Sequence, residues 1–364
     1  MNKQLSIYLD ILRFCAAIMV FISHVPSFSG GWLWQFSGLG HEAVVIFFVL
    51  SGFVIAYVVF EKEESALQYV TNRVSRIYSV AIPALIITVL LYYVGKQIDK
   101  SAFIILDERL QNPVWTIISA LSFTNQSWIA SPTFLNLPYW SLGYEVLYYA
   151  FFGILMYMKG RTKIAFLCIL ALIMGPSILL YLPIWFFGVI CFKNLHAIKL
   201  TFKASLLIYL VSIGGFITVS IKSVQLFINT SFQNIIGSQI YEVLLEPADK
   251  FASDYILAIF VSIHIFSSFH LAVNSKFCMI TKKLESIIRE LSSHTFSLYL
   301  MHMPLLYFIS IIVPYESNQL VNLLFCWLFI PFIIYLLSSL IEKNKYRLKK
   351  SVKNYLNNSL FLIR

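Results

Sequence analysis

Charged residues are scarce in this chain: Asp, Glu, Lys and Arg together make up 12% of its 364 residues, against roughly 25% in an ordinary soluble domain. Hydrophobic residues reach 59%, which leaves too little polar material to cover a water-facing surface. A soluble two-domain enzyme is excluded, and a bilayer is required as the solvent for several apolar helices. Cysteine is also sparse. The five (Cys15, Cys168, Cys191, Cys278 and Cys326) lie in or beside apolar segments, none at metal-ligand spacing from another. That argues against a disulfide framework and against a zinc site, so no metal is expected. Linkers rich in Pro, Gly and Ser are missing, and no soluble domain is expected beside the membrane part. No internal repeat is evident, which weakens a transporter built from paired halves.

What the chain does have is long apolar runs. Ten approach the 20 residues needed to cross hydrocarbon: near 7–26, 41–60, 74–95, 138–158, 163–181, 182–195, 203–222, 254–273, 293–314 and 319–341. The expected fold is therefore an all-α polytopic membrane protein of about ten transmembrane helices, with both termini cytoplasmic. Residues 1–341 form the membrane-embedded domain, and 342–364 a basic cytoplasmic tail. The net charge of +10 supports this reading and points to no nucleic-acid partner. Twenty-one of the 27 Lys and Arg fall on the side of the termini, and Lys96, Lys100, Arg109, Lys222 and Lys250 on the other, with Arg13 inside a span. That bias is the positive-inside rule. The first run lacks a convincing cleavage site and is expected to stay as a helix. The apolar stretch Val114–Phe123 is too short to span and is expected at the interface or re-entrant. The loops at 96–137 and 223–253 are the candidate substrate-facing surfaces.

Ionisable groups inside hydrocarbon cost about 2.5–3.5 kcal/mol each on insertion scales, so their positions are informative. Arg13 and His24 are eleven residues apart, which on a helix is about 20° past three turns and roughly 16 Å of rise. They share one face, with Arg13 towards the cytoplasm and His24 near the outer end. Asp10, three residues before Arg13, can pair with it. The alternatives are a polar channel or a snorkelling arginine with an interfacial histidine. Arg73 and Arg76 also share a face; they suit a phosphate clamp or plain positive-inside anchoring. Glu42 sits at the outer boundary of the second span, where solvation alone could account for it, and Ser51 with Gly52 reads as close helix packing. Glu145 lies about two turns into the fourth span among Trp140, Tyr144, Tyr148 and Tyr149, and by depth its partner is expected to be His24. A carboxylate beside an imidazole orients the ring and raises its basicity. His302 lies about two turns into the ninth span, either as a functional group or as a core histidine satisfied by a backbone carbonyl.

These residues carry a resemblance to the acyltransferase-3 family of bacterial integral-membrane O-acyltransferases. The matching segments are Arg13-x10-His24, FFVLSGF at Phe47–Phe53, the arginines of RVSR at Arg73 and Arg76, YWSLGYE at Tyr139–Glu145, and FSLYLMHMPL at Phe296–Leu305. They occur in the family's order over about residues 5 to 341. The resemblance implies a ten-helix core in the bacterial plasma (inner) membrane. That core moves an acyl group, usually acetyl, from cytoplasmic acyl-CoA to a hydroxyl of an extracytoplasmic or lipid-linked glycan: a surface polysaccharide such as O-antigen, capsule or exopolysaccharide. It implies that Arg13, His24, Arg73 and Arg76 matter for activity. Where many members have an acid just before FFVLSG, this chain has Val45, and Glu42 one turn earlier is the candidate substitute. The hydrolase-like C-terminal domain of some relatives is not seen, so the membrane core or a separate partner is expected to complete the transfer.

The expected chemistry places the acetyl-CoA phosphates on Arg73 and Arg76 and its pantetheine arm along the Arg13 side of the first helix. His24 acts as general base on a sugar hydroxyl with Glu145 orienting it, or as the carrier of a covalent acyl group. Glu42, Trp140, Tyr144 and His302 are the expected acceptor contacts, and Trp32, Trp34, Trp128, Tyr139 and Trp140 could stack on sugar rings or form an interfacial belt. The rival readings are a glycan polymerase or flippase, which needs no CoA, and a secondary transporter.

Overall fold

The computed structural model describes residues 3–62, 65–110, 112–237, 241, 248–274 and 281–361. Among them there is no strand. The helices are α1 (Lys3–His24), α2 (Gly40–Glu61), α3 (Ala66–Ile98), α4 (Ile104–Arg109), α5 (Pro113–Leu121), α6 (Tyr139–Tyr157), α7 (Gly160–Lys193), α8 (Phe202–Ser220), α9 (Lys222–Ile236), α10 (Phe251–Asn274), α11 (Lys282–Ser293), α12 (Thr295–Ile312), α13 (Gln319–Leu324) and α14 (Ile330–Phe361). A π turn, Phe325–Phe329, joins α13 to α14.

Eight helices among the described residues are long and apolar enough to cross a membrane. The remaining two expected spans are accounted for by particular residues. The fifth and sixth both lie in α7, and the break comes at Gly175 (φ 75°, ψ 174°) rather than near 181. Glycine tolerates that positive φ, and the following Pro176 removes a helical N–H. The fourth is α6, a 19-residue helix whose Tyr and Trp content lowers its mean hydropathy; it falls outside the eight. The apolar stretch at 114–123 folds as the nine-residue α5, started by Pro113 and capped by Asn112, whose side chain accepts from the N–H groups of Val114 and Trp115. The expected outer loop at 223–253 is not all loop: 222–236 is α9, and much of the rest lies outside the described residues. The expected tail begins inside α14, which runs from Ile330 to Phe361.

The chain divides into two compact units. Unit 1 comprises residues 1–20, 38–62 and 175–293, and unit 2 comprises 21–37, 63–174 and 294–364. In unit 1, α10 packs along α8 and α2. Here α2 also meets the second half of α7 through glycines: a Cβ at Gly52 would land inside the Trp185 carbonyl, and one at Gly188 inside that of Val49. The Trp185 indole donates to Ser51 Oγ at 3.2 Å in the same seam. This is the close packing expected of Ser51 and Gly52. Gly188→Leu drives a side chain into backbone that cannot yield. Its cost should meet or exceed the ~1–3 kcal/mol of an overpacked core, whereas Gly214→Leu enters open space. The first variant is expected to lose its monodisperse peak in detergent size-exclusion chromatography, and the second to keep it.

In unit 2, α12 and α14 both pack on α3, and α6 joins the same helix. Asn136, in the segment leading to α6, ties two of these walls together. Its Nδ2 donates to Thr88 Oγ1 at 3.2 Å and to the Leu300 carbonyl at 2.8 Å.

Candidate functional site

Three helices of unit 2 each present a polar stripe at helical spacing. On α3 it is Tyr69, Arg73 and Arg76; on α6 it is Ser141, Glu145 and Tyr149; on α12 it is Tyr299 and His302. The stripes interlock. The Arg73 guanidinium lies 5.8 Å from the centre of the Tyr69 ring and 5.9 Å from that of Tyr149, within cation–π range of both. The Tyr69 hydroxyl donates to the Tyr149 carbonyl at 2.8 Å, and the Tyr149 hydroxyl donates to Glu145 Oε1 one turn back. Arg76 lies within electrostatic range of that same hydroxyl. Ser141 Oγ and the Tyr299 hydroxyl are 2.6 Å apart, and Glu145 is close enough to Tyr299 to act on it electrostatically. Arg73 is therefore more than a solvated anchor. It is half-buried, with aromatic rings holding its plane.

Tyr299 leads to His302, whose ring centre is 6.4 Å away. His302 is completely buried. Its Nδ1 is 2.9 Å from the Leu298 carbonyl, as expected of a core histidine. Its Nε2, however, is 3.3 Å from His24 Nδ1. A carbonyl only accepts, so His302 Nδ1 carries a proton, and with the ring neutral its Nε2 accepts. His24 Nδ1–H is then the donor, and in a neutral His24 the lone pair resides on Nε2. One hydrogen-bonding pattern thus satisfies the contact between the two rings, with Ser23 Oγ also 3.5 Å from His24 Nδ1, and makes Nε2 the basic atom. His302 occupies the Nδ1 side of the ring, where Glu145 was the expected partner, and Glu145 accepts from the Tyr149 hydroxyl. His24 also lies deeper than expected. It sits level with a residue seven positions into α12, and the first span runs on through a 3-10 turn to Phe28. Unlike His302 it is only half-buried.

The proposed acceptor rings separate on inspection. Trp140 packs edge-on against Tyr144, and Tyr144 against Tyr148, with centres 5.2 and 6.2 Å apart. Tyr139 is unsuited to stacking on a sugar: it is fully buried, lies parallel to Phe123, and donates to the Ala120 carbonyl at 3.0 Å. Trp32, Trp34 and Trp128 are exposed.

Two expected residues lie in unit 1. Arg13 Nη1 bonds Asp10 Oδ1 at 3.1 Å, as the spacing suggested, and Asp10 is shared with Arg289 of α11, also at 3.1 Å. Lys3 pairs with Glu285 at 2.5 Å; together with Arg289 it holds that half-buried carboxyl below its ordinary pKa. These pairs tie α11 to the start of α1. Glu42 is not solvated at an interface. It is 1% exposed and accepts from Gln225 Nε2 at 2.6 Å. Beside it in sequence, His41 Nε2 meets the fully buried Asp254 at 2.7 Å, and Asp254 also accepts from the Tyr181 hydroxyl at 2.5 Å. The sequence reading missed Asp254, Tyr181 and Gln225. It also missed the α6 stripe, although the four-residue spacing of Ser141, Glu145 and Tyr149 was there to be found. Among the described residues, no cluster of His, Cys, Asp or Glu is arranged to hold a metal ion.

Over 86 residues the chain is 34% identical to an O-acetyl transferase of Shigella phage Sf6, a stretch that covers 23% of this chain and 26% of the phage protein. No solved structure matches. Residues 6–341 match the family described as the acyltransferase domain, a match that spans α1 to α14 and takes in every polar stripe of unit 2. On that match the chain belongs to the acyltransferase-3 family.

Proposed function

We propose that the protein is an O-acyltransferase of the plasma membrane. It takes an acyl group, in the first instance acetyl, from cytoplasmic acyl-CoA and passes it to a hydroxyl of an extracytoplasmic or lipid-linked glycan. The observation that carries this reading is the run of polar side chains within unit 2, from two arginines at one end to an imidazole with a basic Nε2 at the other. Arg73 and Arg76 enter the third span from the side rich in Lys and Arg, where an anionic nucleotide would arrive. Planar guanidiniums suit phosphate oxygens bidentately. The Glu145–Tyr149 and Ser141–Tyr299 pairs line the way onward with hydrogen-bonding groups that suit the amides of a pantetheine arm. At the far end, His24 Nε2 takes the proton of the attacking hydroxyl while His302 holds the ring. Arg13 is assigned to the donor by family resemblance alone. Trp140 and Tyr144, with the exposed Trp32, are the proposed acceptor contacts; Glu42, buried against Gln225, supports the fold of unit 1.

The test is chemical. Vesicles carrying the protein should release CoA from labelled acetyl-CoA and transfer the label to polysaccharide. Deleting the gene in its host should remove O-acetyl signals from the NMR spectrum of the surface polysaccharide. Unchanged O-acetyl signals and no consumption of acetyl-CoA would sink the reading in favour of a polymerase or flippase. Arg73→Ala is expected to raise KM for acetyl-CoA about ten- to hundred-fold, the worth of a charge-assisted hydrogen bond, with kcat at saturation largely kept. An unchanged KM would return Arg73 to an anchoring role.

A further inference from the structure

One aromatic ring away from His302, unit 2 contains a hydrogen-bond donor with no work assigned to it. The indole Nε1 of Trp327 is buried and has no hydrogen-bond partner among the described residues. Trp indoles near a membrane boundary normally direct this N–H to water or headgroups. Trp327 is not at a boundary. It lies eight residues into the last span, about 12 Å along the helix, while His302 is ten residues from the matching end of α12, about 15 Å. Its depth is that of the histidine pair.

The local backbone explains how it comes to be there. The π turn at Phe325–Phe329 inserts an extra residue into the ladder and turns the indole out of ordinary helical register. Asn322 Nδ2 bonds the Val313 carbonyl at 2.8 Å, and Cys326 is fully buried, so the turn is held from both sides. Phe21 then links the indole to the histidines: its ring meets Trp327 edge to face at 6.1 Å and His302 edge to face at the same distance. Phe21 lies three residues before His24, on the same face of α1. On its other side, Trp327 meets Trp32 at 6.2 Å, and Trp32 is 54% exposed. The indole is thus one ring, Phe21, away from His302 on one side and meets a ring that reaches the surface on the other.

An unsatisfied N–H in a low-dielectric interior is costly, and it is the kind of group that stabilises negative charge when an acyl carbonyl is attacked. We infer that Trp327 is the oxyanion donor of acyl transfer, its Nε1–H hydrogen-bonding to the thioester carbonyl oxygen as charge develops there. This rests on the acyltransferase reading above. In the step, the acceptor hydroxyl oxygen forms a bond to the thioester carbon and its proton passes to His24 Nε2. The carbonyl π pair moves onto the oxygen, where the Trp327 N–H holds it. The pair then re-forms the C=O bond as the C–S bond breaks, and the departing thiolate takes the proton from His24. The products are free CoA thiol and an O-acyl ester.

Trp327→Phe keeps an aromatic ring and deletes the donor. Its kcat for transfer from acetyl-CoA should fall about 100- to 1,000-fold, the usual cost of one oxyanion donor, with KM for acetyl-CoA unchanged. Replacing Trp327 by benzothienylalanine, which keeps the bicyclic shape and exchanges N–H for sulfur, should reproduce that loss. His24→Ala is run beside them. If Trp327→Phe turns over at the native rate while His24→Ala is dead, the oxyanion role is wrong and the acyltransferase reading stands. If Trp327→Phe is impaired but the benzothienyl protein is fully active, the indole acts by shape, and the role is likewise overturned. An active His24→Ala protein would take His24 out of the reaction, and with it the arrangement on which the oxyanion role is built.

Discussion

His24→Ala should lower acyl transfer by about 10²–10⁴-fold, the range general acid–base catalysis supplies. The protein should still insert, fold and bind acetyl-CoA. The expectation follows from where the ring sits. His24 ends α1, so truncating it leaves the helix intact. The fully buried His302 keeps its bond to the Leu298 carbonyl. The arginines proposed to hold the donor are on α3 and do not depend on His24. Binding and chemistry should therefore separate: KM for acetyl-CoA holds while kcat collapses. Labelled acetyl-CoA turnover by the purified protein in nanodiscs reads both at once. Undiminished kcat in a folded His24→Ala protein would take His24 out of the reaction.

The second large effect belongs to His302, which acts through His24 and is a positioning residue. Removing its acceptor atom frees the His24 ring to rotate or to change tautomer, so that the proton sits on Nε2 where the lone pair is needed. Loss of the equivalent control in hydrolytic triads costs about 10⁴-fold; a neutral orienting partner should be worth less, about 10²–10³-fold. His302→Leu should show that loss in kcat with KM for acetyl-CoA unchanged. His302→Gln retains a carbonyl that can accept from His24 Nδ1–H and should recover part of it. A purely structural role predicts otherwise: both variants would lose folded protein, and glutamine would do no better than leucine.

Much of this was legible in the sequence, for reasons that differ residue by residue. Hydrophobic run length is a one-dimensional property, so the spans could be read directly, and Arg13, His24, Arg73 and Arg76 stood out because charge in apolar runs is rare. The Asp10–Arg13 pair followed from a three-residue spacing. The partner of His24 could not be read in this way. His302 lies 278 positions away, and depth alone matched His24 equally well to Glu145. The break in α7 was misplaced because hydropathy is continuous through Gly175-Pro176, where the interruption is one of backbone angles and a missing N–H. α9 was read as loop because its 15 residues are too short and too polar to make a spanning run. A π turn leaves no mark on composition, so the position of Trp327 could not be read from the sequence.

The central claim is that His302 sets His24 as the Nδ1–H tautomer, with Nε2 as the reacting base. Nitrogen NMR of ¹⁵N-histidine-labelled protein in nanodiscs, with His24 assigned by difference against His24→Ala, measures this directly. The account predicts a protonated Nδ1 and an unprotonated Nε2 in the native protein, and loss of that preference in His302→Leu. A native His24 protonated on Nε2, or a tautomer indifferent to His302, would contradict it.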